Sequence, residues 1–176
     1  MRAAGAHGFT LVELMIVVAV VAIVAALALP SFQATIRSNR VATHTNEILG
    51  SFALARSEAI RSPGGAAMCT SANGASCGGS WITGWIVWID TNGNGVPEPA
   101  ERVLRHVQGS DALQVTGTTN GATPNLVRFD TRGRVVGNAT HTVTLRSSVC
   151  PAGSPLVRTV SLSPVGQVKM ARGDCS

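Results

Sequence analysis

Tyrosine is missing altogether, and aromatic residues make up only 4% of the chain. Charged side chains are scarce, at 13%, and Lys169 is the only lysine. No Cys-x-x-Cys pair occurs, and no histidine stands at zinc-finger spacing from a cysteine. A structural zinc site is thereby not expected. Gly93-Asn94-Gly95 lacks the spacing of a phosphate loop. His44, His106 and His141 are scattered and accompany no nucleophile motif. The expectation is therefore a chain that is not an enzyme and uses no cofactor. No internal repeat or low-complexity tail is evident.

What is present is unevenly spread. The 176 residues suffice for one domain with a real core. Hydrophobic residues reach 45%, much of it in one N-terminal run. Nineteen glycines, with many Ser, Thr and Asn after residue 63, suggest turns joining short strands. The net charge of +5, carried almost wholly by arginine, permits a polyanion partner without establishing one.

Residues 9–29 contain a single charge, Glu13. At about 1.5 Å per residue, such a helix spans roughly 30 Å, the depth of a bilayer core. Residues 1–8, with Arg2, form a short basic leader, which places the chain after the helix outside. An ordinary signal peptide would need a small-residue cleavage site after the apolar run, and Pro30 spoils the one available. The small residue that matters stands before the run, at Gly8. An unpaired carboxylate in lipid is costly, so Glu13 requires a partner, and its place near the helix start suggests an amine.

Four cysteines, Cys69, Cys77, Cys150 and Cys175, form an even set in an exported chain, which predicts two disulfides. Three pairings are possible. The expected one joins neighbours in sequence, Cys69–Cys77 and Cys150–Cys175, and it requires an oxidising compartment such as the periplasm.

Gly8-Phe9-Thr10-Leu11-Val12-Glu13 resembles the processing signal of type IV pilins and type II secretion pseudopilins. The resemblance implies cleavage after Gly8 by a prepilin peptidase, N-methylation of Phe9, and assembly with other pilins from the bacterial inner membrane. It also implies assembly roles for Glu13 and for Pro30, a helix-kinking proline in many members. The physics agrees. Glu13 lies one helical turn from the new α-amine of Phe9. In a filament it could neutralise that amine on a neighbouring subunit.

After the apolar segment, residues 31–62 read as an amphipathic helix. Phe32, Ile36, Ile48, Leu49, Phe52 and Ile60 are expected on one face, and Ser62-Pro63-Gly64-Gly65 ends it. Residues 63–176 read as a β-rich head, with strands expected at 81–89, 102–108, 112–117, 125–130, 141–149, 156–163 and 167–171. No helical pattern intervenes between them. The fold class is therefore α+β, a long N-terminal helix on an all-antiparallel head built as a small sandwich or two packed sheets. Gly84–Asp90, Asn92–Gly95, Glu101–Arg105 and Phe129–Arg134 resemble the GspH/FimT family. That resemblance implies a minor subunit of a type IV pilus or of the type II secretion pseudopilus, one that initiates or caps the filament.

Two local patterns carry competing chemistry. Asp90, Asn92, Asn94, Gly95 and Glu101 fit D-x-[DN]-x-[DN]-G-x5-E, a calcium-loop pattern. Pro97 and Pro99 obstruct an exiting helix, the entering segment reads as a strand, and Asn-Gly-Asn-Gly also suits a hairpin turn. The expectation is a β-hairpin connection and no metal. The second pattern is Gly166-Gln167-Val168-Lys169 with Arg172. It resembles, in degraded form, the G-R-x-R element by which the FimT branch contacts DNA. Gln167 and Lys169 stand where that element has arginines, and lysine lacks the bidentate fork. Arg128, Arg132, Arg134, Arg146 and Arg158 could extend a basic surface, which makes double-stranded DNA an alternative partner.

Overall fold

The computed structural model describes residues 10–120 and 125–176, in two compact units that divide after Ile36. Gly8 and Phe9 lie outside the described residues. α1 (Leu11–Arg61) crosses the division and continues through Pro30. Thr10 caps its start, its Oγ1 accepting from Glu13 N at 3.2 Å. Thr10-x-x-Glu13 is a capping-box spacing, and the acid in the first turn suits the positive end of the helix dipole. From Leu11 to Leu29 the large apolar side chains are exposed all round the helix. This stretch is long and apolar enough to cross a membrane.

In the second unit α1 buries Val41, Thr45, Ile48, Phe52, Ala55 and Ala59, alternating steps of four and three residues. This stripe corrects the expected face. Phe32 and Ile60 are exposed, at 64% and 56%, while the two alanines lie fully buried. Small side chains let the helix backbone approach the sheets, and a reading weighted by side-chain size overlooks them.

Eight strands follow: β1 (Ala66–Thr70), β2 (Gly84–Ile89), β3 (Val103–Gln108), β4 (Leu113–Thr119), β5 (Leu126–Phe129), β6 (His141–Ser147), β7 (Val157–Leu162) and β8 (Val168–Gly173). They form two antiparallel sheets, ordered β3-β2-β1-β5 and β4-β6-β7-β8. Both sheets and the α1 stripe enclose one core. Ile48, Phe52, Ala55 and Ala59 meet Met68, Trp85, Val87 and Phe129 of the first sheet and Val143, Leu145, Val160 and Leu162 of the second. Trp85 Nε1 donates to Ser51 Oγ at 2.9 Å, tying β2 to the helix inside that core.

Seven strands fall where the sequence places them, with ends shifted by a few residues. The eighth, β1, was not expected, although it sits inside the first sheet between β2 and β5. All five of its residues are buried, so Ala-Ala-Met-Cys-Thr shows no alternation. The first sheet is covered on both faces. Its outer face buries Ala67, Cys69, Ile86 and Trp88 as a separate cluster. A strand buried on two sides loses the period-two signal that marks a half-exposed one. Trp81-Ile82-Thr83 form a turn ahead of β2 instead of its first residues.

Disulfides join Cys69 to Cys77 and Cys150 to Cys175, with Cα–Cα distances of 5.6 and 5.5 Å. The first clips the Gly-rich loop after β1 back onto that strand. The second holds the C-terminal end beyond β8 to the loop before β7.

Candidate functional site

The sequence singles out three places, and the structure treats them differently. The first is the start of α1. Thr10 and Glu13 stand there as a cap on the Leu11–Leu29 stretch of α1, which carries no other charge.

The second is the basic C-terminal pattern. β8 is an edge strand whose residues pair regularly with β7, Ser161 opposite Lys169 and Arg158 opposite Arg172. Side chains alternate across a strand, so Lys169 and Arg172 take opposite faces. The strand therefore does not present them side by side with Gln167. Three other arginines of the proposed surface are engaged. Arg158 is 7% exposed and donates to the carbonyls of Pro155 and Val157. Burial lowers its guanidinium from the ordinary value, and Arg172 alongside adds to the effect. Arg128 pairs with Asp90 at 3.3 Å and also donates to the Gly93 carbonyl. Arg146 is exposed and donates to Gln114 Oε1 at 2.6 Å.

What the fold does bring together is a pair of twin turns. In Asp130–Arg134, Gly133 N donates to Asp130 O and Asp130 N to Arg134 O, both at 2.8 Å. In Ser163–Gln167, Gly166 N donates to Ser163 O and Ser163 N to Gln167 O, both at 2.9 Å. Gly133 and Gly166 adopt φ of +71° and +79°, the left-handed conformation that such a turn needs and that glycine tolerates best. The turns are adjacent: Val135 N donates to Pro164 O at 2.9 Å, and Arg56 of α1 donates to Gly166 O at 2.8 Å. Arg134 and Gln167 thus hold equivalent positions in two adjacent turns, and Arg132 in the first turn is exposed. Arg134 is paired with Asp130 at 3.1 Å. Burial raises the Asp130 carboxyl, but hydrogen bonds from Arg134 and Arg132, with the Arg134 charge, outweigh it and hold it below its ordinary value. The resemblance of the two turns is legible in Asp-x-x-Gly-Arg and Ser-x-x-Gly-Gln once the structure has shown it.

The third place is the Asp90–Arg102 connection, which links antiparallel neighbours β2 and β3 as expected. It is not a tight turn. Glu101 Oε1 accepts from Thr91 N at 2.8 Å and Thr91 Oγ1 at 2.9 Å, closing the segment into a ring.

The three histidines among the described residues do not assemble into a reactive group. His141 is buried opposite Thr119, which shares a hydrogen bond with its Nδ1, and burial pushes the imidazole down to about 4. His44 Nδ1 lies 2.9 Å from Glu47, and the His106 ring packs under Gly74.

Comparison with known proteins agrees with this architecture. The family model described as type II transport protein GspH matches residues 44–166. The prokaryotic N-terminal methylation motif matches residues 4–29, which implies processing by a prepilin peptidase and assembly with other pilins. No curated protein matches. Two crystal forms of the Pseudomonas aeruginosa type IV minor pilin FimU share the fold. One aligns with a TM-score of 0.55 at 18% identity over 76% of this chain and 89% of that one. The other aligns at 0.50 and 18% over 76% and 91%. A helix with an apolar, methylation-type start and a two-sheet head matched over residues 44–166 place this chain in the GspH family of minor pilins and pseudopilins.

Proposed function

We propose that the chain is a non-catalytic filament subunit, anchored in the bacterial inner membrane with its head in the periplasm. It initiates or caps a type IV pilus or a type II secretion pseudopilus. The observation that carries this reading is Glu13, the single charge of the 9–29 run, set in the first turn of α1. A carboxylate there is costly in lipid unless a cation meets it, and cleavage after Gly8 would create one at Phe9. Subunits joined Glu13 to Phe9 would replace an unpaired membrane charge with a pair. Residues 1–8 are then the leader, 9–30 the membrane segment, 31–62 the helix that joins the head, and 63–176 the head. The test is intact-mass analysis of membrane-derived protein. The expected mature chain starts at N-methylated Phe9. A retained leader, or cleavage after residue 29, overturns the reading.

Double-stranded DNA is a second reading, and the adjacency of the twin turns favours it in a changed form. The candidate contact moves from Lys169 and Arg172 together to Arg132, Arg134 and Gln167. Phosphate contacts of this kind are weak and salt-sensitive. Arg132→Ala should weaken a low-salt gel shift and reduce its salt slope by about one unit. A shift indifferent to Arg132, or no shift, removes DNA as a partner of this corner.

A further inference from the structure

The Asp90–Arg102 ring folds over the outer face of the first sheet. Gly95 lies against the stem of Arg128 and against Leu126, and Gly64 sits against the carbonyls of Asp90 and Thr91. Asp90, at its head, is 2% exposed. Its Oδ2 is used, accepting from Gly95 N at 3.0 Å and Arg128 Nε at 3.3 Å. Its Oδ1 is buried and has no donor among the described residues. A buried carboxylate oxygen left unpaired is among the costliest arrangements a fold can hold. The neighbouring protein donors face Oδ2, so what is missing at Oδ1 is a cation or a water.

The rest of the ring supplies oxygens at the remaining positions of a calcium loop. Taking Asp90 as the first residue, Asn92 and Asn94 are the third and fifth, the Val96 carbonyl is the seventh, Glu98 the ninth and Glu101 the twelfth. Gly95, the sixth, takes the left-handed φ of +77°. Asn92 Nδ2 and Asn94 Nδ2 donate to Glu98 at 3.2 and 2.9 Å, which brings Glu98 across the ring. Glu101 Oε2 accepts from Glu98 N at 3.3 Å. No three His, Cys, Asp or Glu side chains among the described residues gather as a metal set by themselves. Two amides and a main-chain carbonyl complete the set here, donors that a hard cation accepts. The charges also balance. Asp90, Glu98 and Glu101 against Arg128 leave two negative charges for a divalent ion.

We propose that the Asp90–Glu101 ring binds calcium, with Asp90 Oδ1 as its buried ligand and Asn92, Asn94, Val96 O, Glu98 and Glu101 completing the shell. Calcium is favoured over magnesium because the ring offers many oxygens without rigid octahedral geometry. Arg128 holds the other Asp90 oxygen and keeps the ring closed when the ion leaves. No exiting helix is required, since the proline-bounded segment Pro97–Pro99 leads into β3 through Glu101.

The full chain in detergent micelles provides the test. Affinity in the range of extracellular calcium modules, about 10⁻⁴–10⁻³ M, predicts a Tm higher by roughly 5 °C in about 5 mM CaCl2 than in EGTA. MgCl2 at the same concentration should give less than half that shift. Terbium should luminesce on tryptophan excitation, Trp88 being two positions before Asp90, and calcium should quench the signal. The Asn92→Ala/Glu98→Gln variant alters exposed side chains only, so it should fold while losing most of the calcium shift. Equal Tm values in calcium and EGTA would leave a water at Asp90 Oδ1 and overturn the proposal. So would an equal response to magnesium, or a calcium shift undiminished in the double variant.

Discussion

Glu13→Ala should be cleaved and methylated like the parent chain, yet be depleted from purified filaments at least tenfold. The proposed recognition pair for cleavage is Gly8-Phe9, which the substitution leaves intact. What it removes is the carboxylate that would meet the Phe9 amine of a neighbour. Insertion scales place an unpaired acid at a membrane helix centre at about 2.5–3.5 kcal/mol, and a site near the interface costs less. Even half of that, released on pairing, corresponds to about tenfold in the assembly equilibrium. Glu13→Gln should behave the same way, because the amide accepts a hydrogen bond and carries no charge. Thr10 still caps α1 in both variants, so helix formation should be unaffected. Quantitative immunoblotting of sheared filaments against membrane fractions reads the result. Parental abundance of both variants in filaments would remove the charge pair as a cause of assembly.

Loss of the Cys150–Cys175 bridge should be the most damaging change to the head. The bridge closes a loop of 25 residues in sequence separation. Chain-entropy arguments place such a cross-link at about 3 kcal/mol. Cys175 is buried, and around it Gly153 N donates to Cys175 O while Cys175 N donates to Ser154 O, both at 2.9 Å. The paired Cys150→Ser/Cys175→Ser variant should therefore lose about 2–4 kcal/mol in a urea titration of the full chain. The shorter Cys69–Cys77 bridge closes a smaller loop and should contribute less by the same reasoning. A midpoint unchanged on removing Cys150–Cys175 would mean that the β7–β8 hairpin holds the C-terminal end without help. β7 and β8 pair over six consecutive positions, so the outcome measures the bridge against a complete ladder.

The helix and most strands could be read from the sequence because their signals are local. Twenty-one residues with one charge announce an apolar span, whatever they pack against. Val143, Leu145 and Ser147 alternate with Thr142, Thr144 and Arg146, and β6 shows that alternation in its burial. Where burial is two-sided the signal vanishes, as in β1. Where small residues do the packing it also fades, as with Ala55 and Ala59. Hydrophobic periodicity reports contrast between faces, and neither case offers any.

The candidate sites divide along the same line. Thr10 and Glu13 are neighbours on one helical turn, so sequence spacing alone sets their geometry. The basic pattern at 166–172 looked continuous as a string. A strand then separated Lys169 from Arg172 by face, and the fold placed the Asp130–Arg134 turn against the Ser163–Gln167 turn from a distant part of the chain.

By itself the sequence determined the apolar helix, the processing signal, the antiparallel character of the head and the likeness to the GspH family, since each rests on residues close together in the chain. Only the tertiary structure decided which strand lies inside the first sheet, which arginines are engaged, and that one oxygen of Asp90 is sealed away without a donor among the described residues. Those outcomes depend on what a distant segment places against a side chain, as Arg128 of β5 does against Asp90 after β2. No local pattern encodes which partner arrives, because burial and pairing arise only when segments remote in sequence close around the same space.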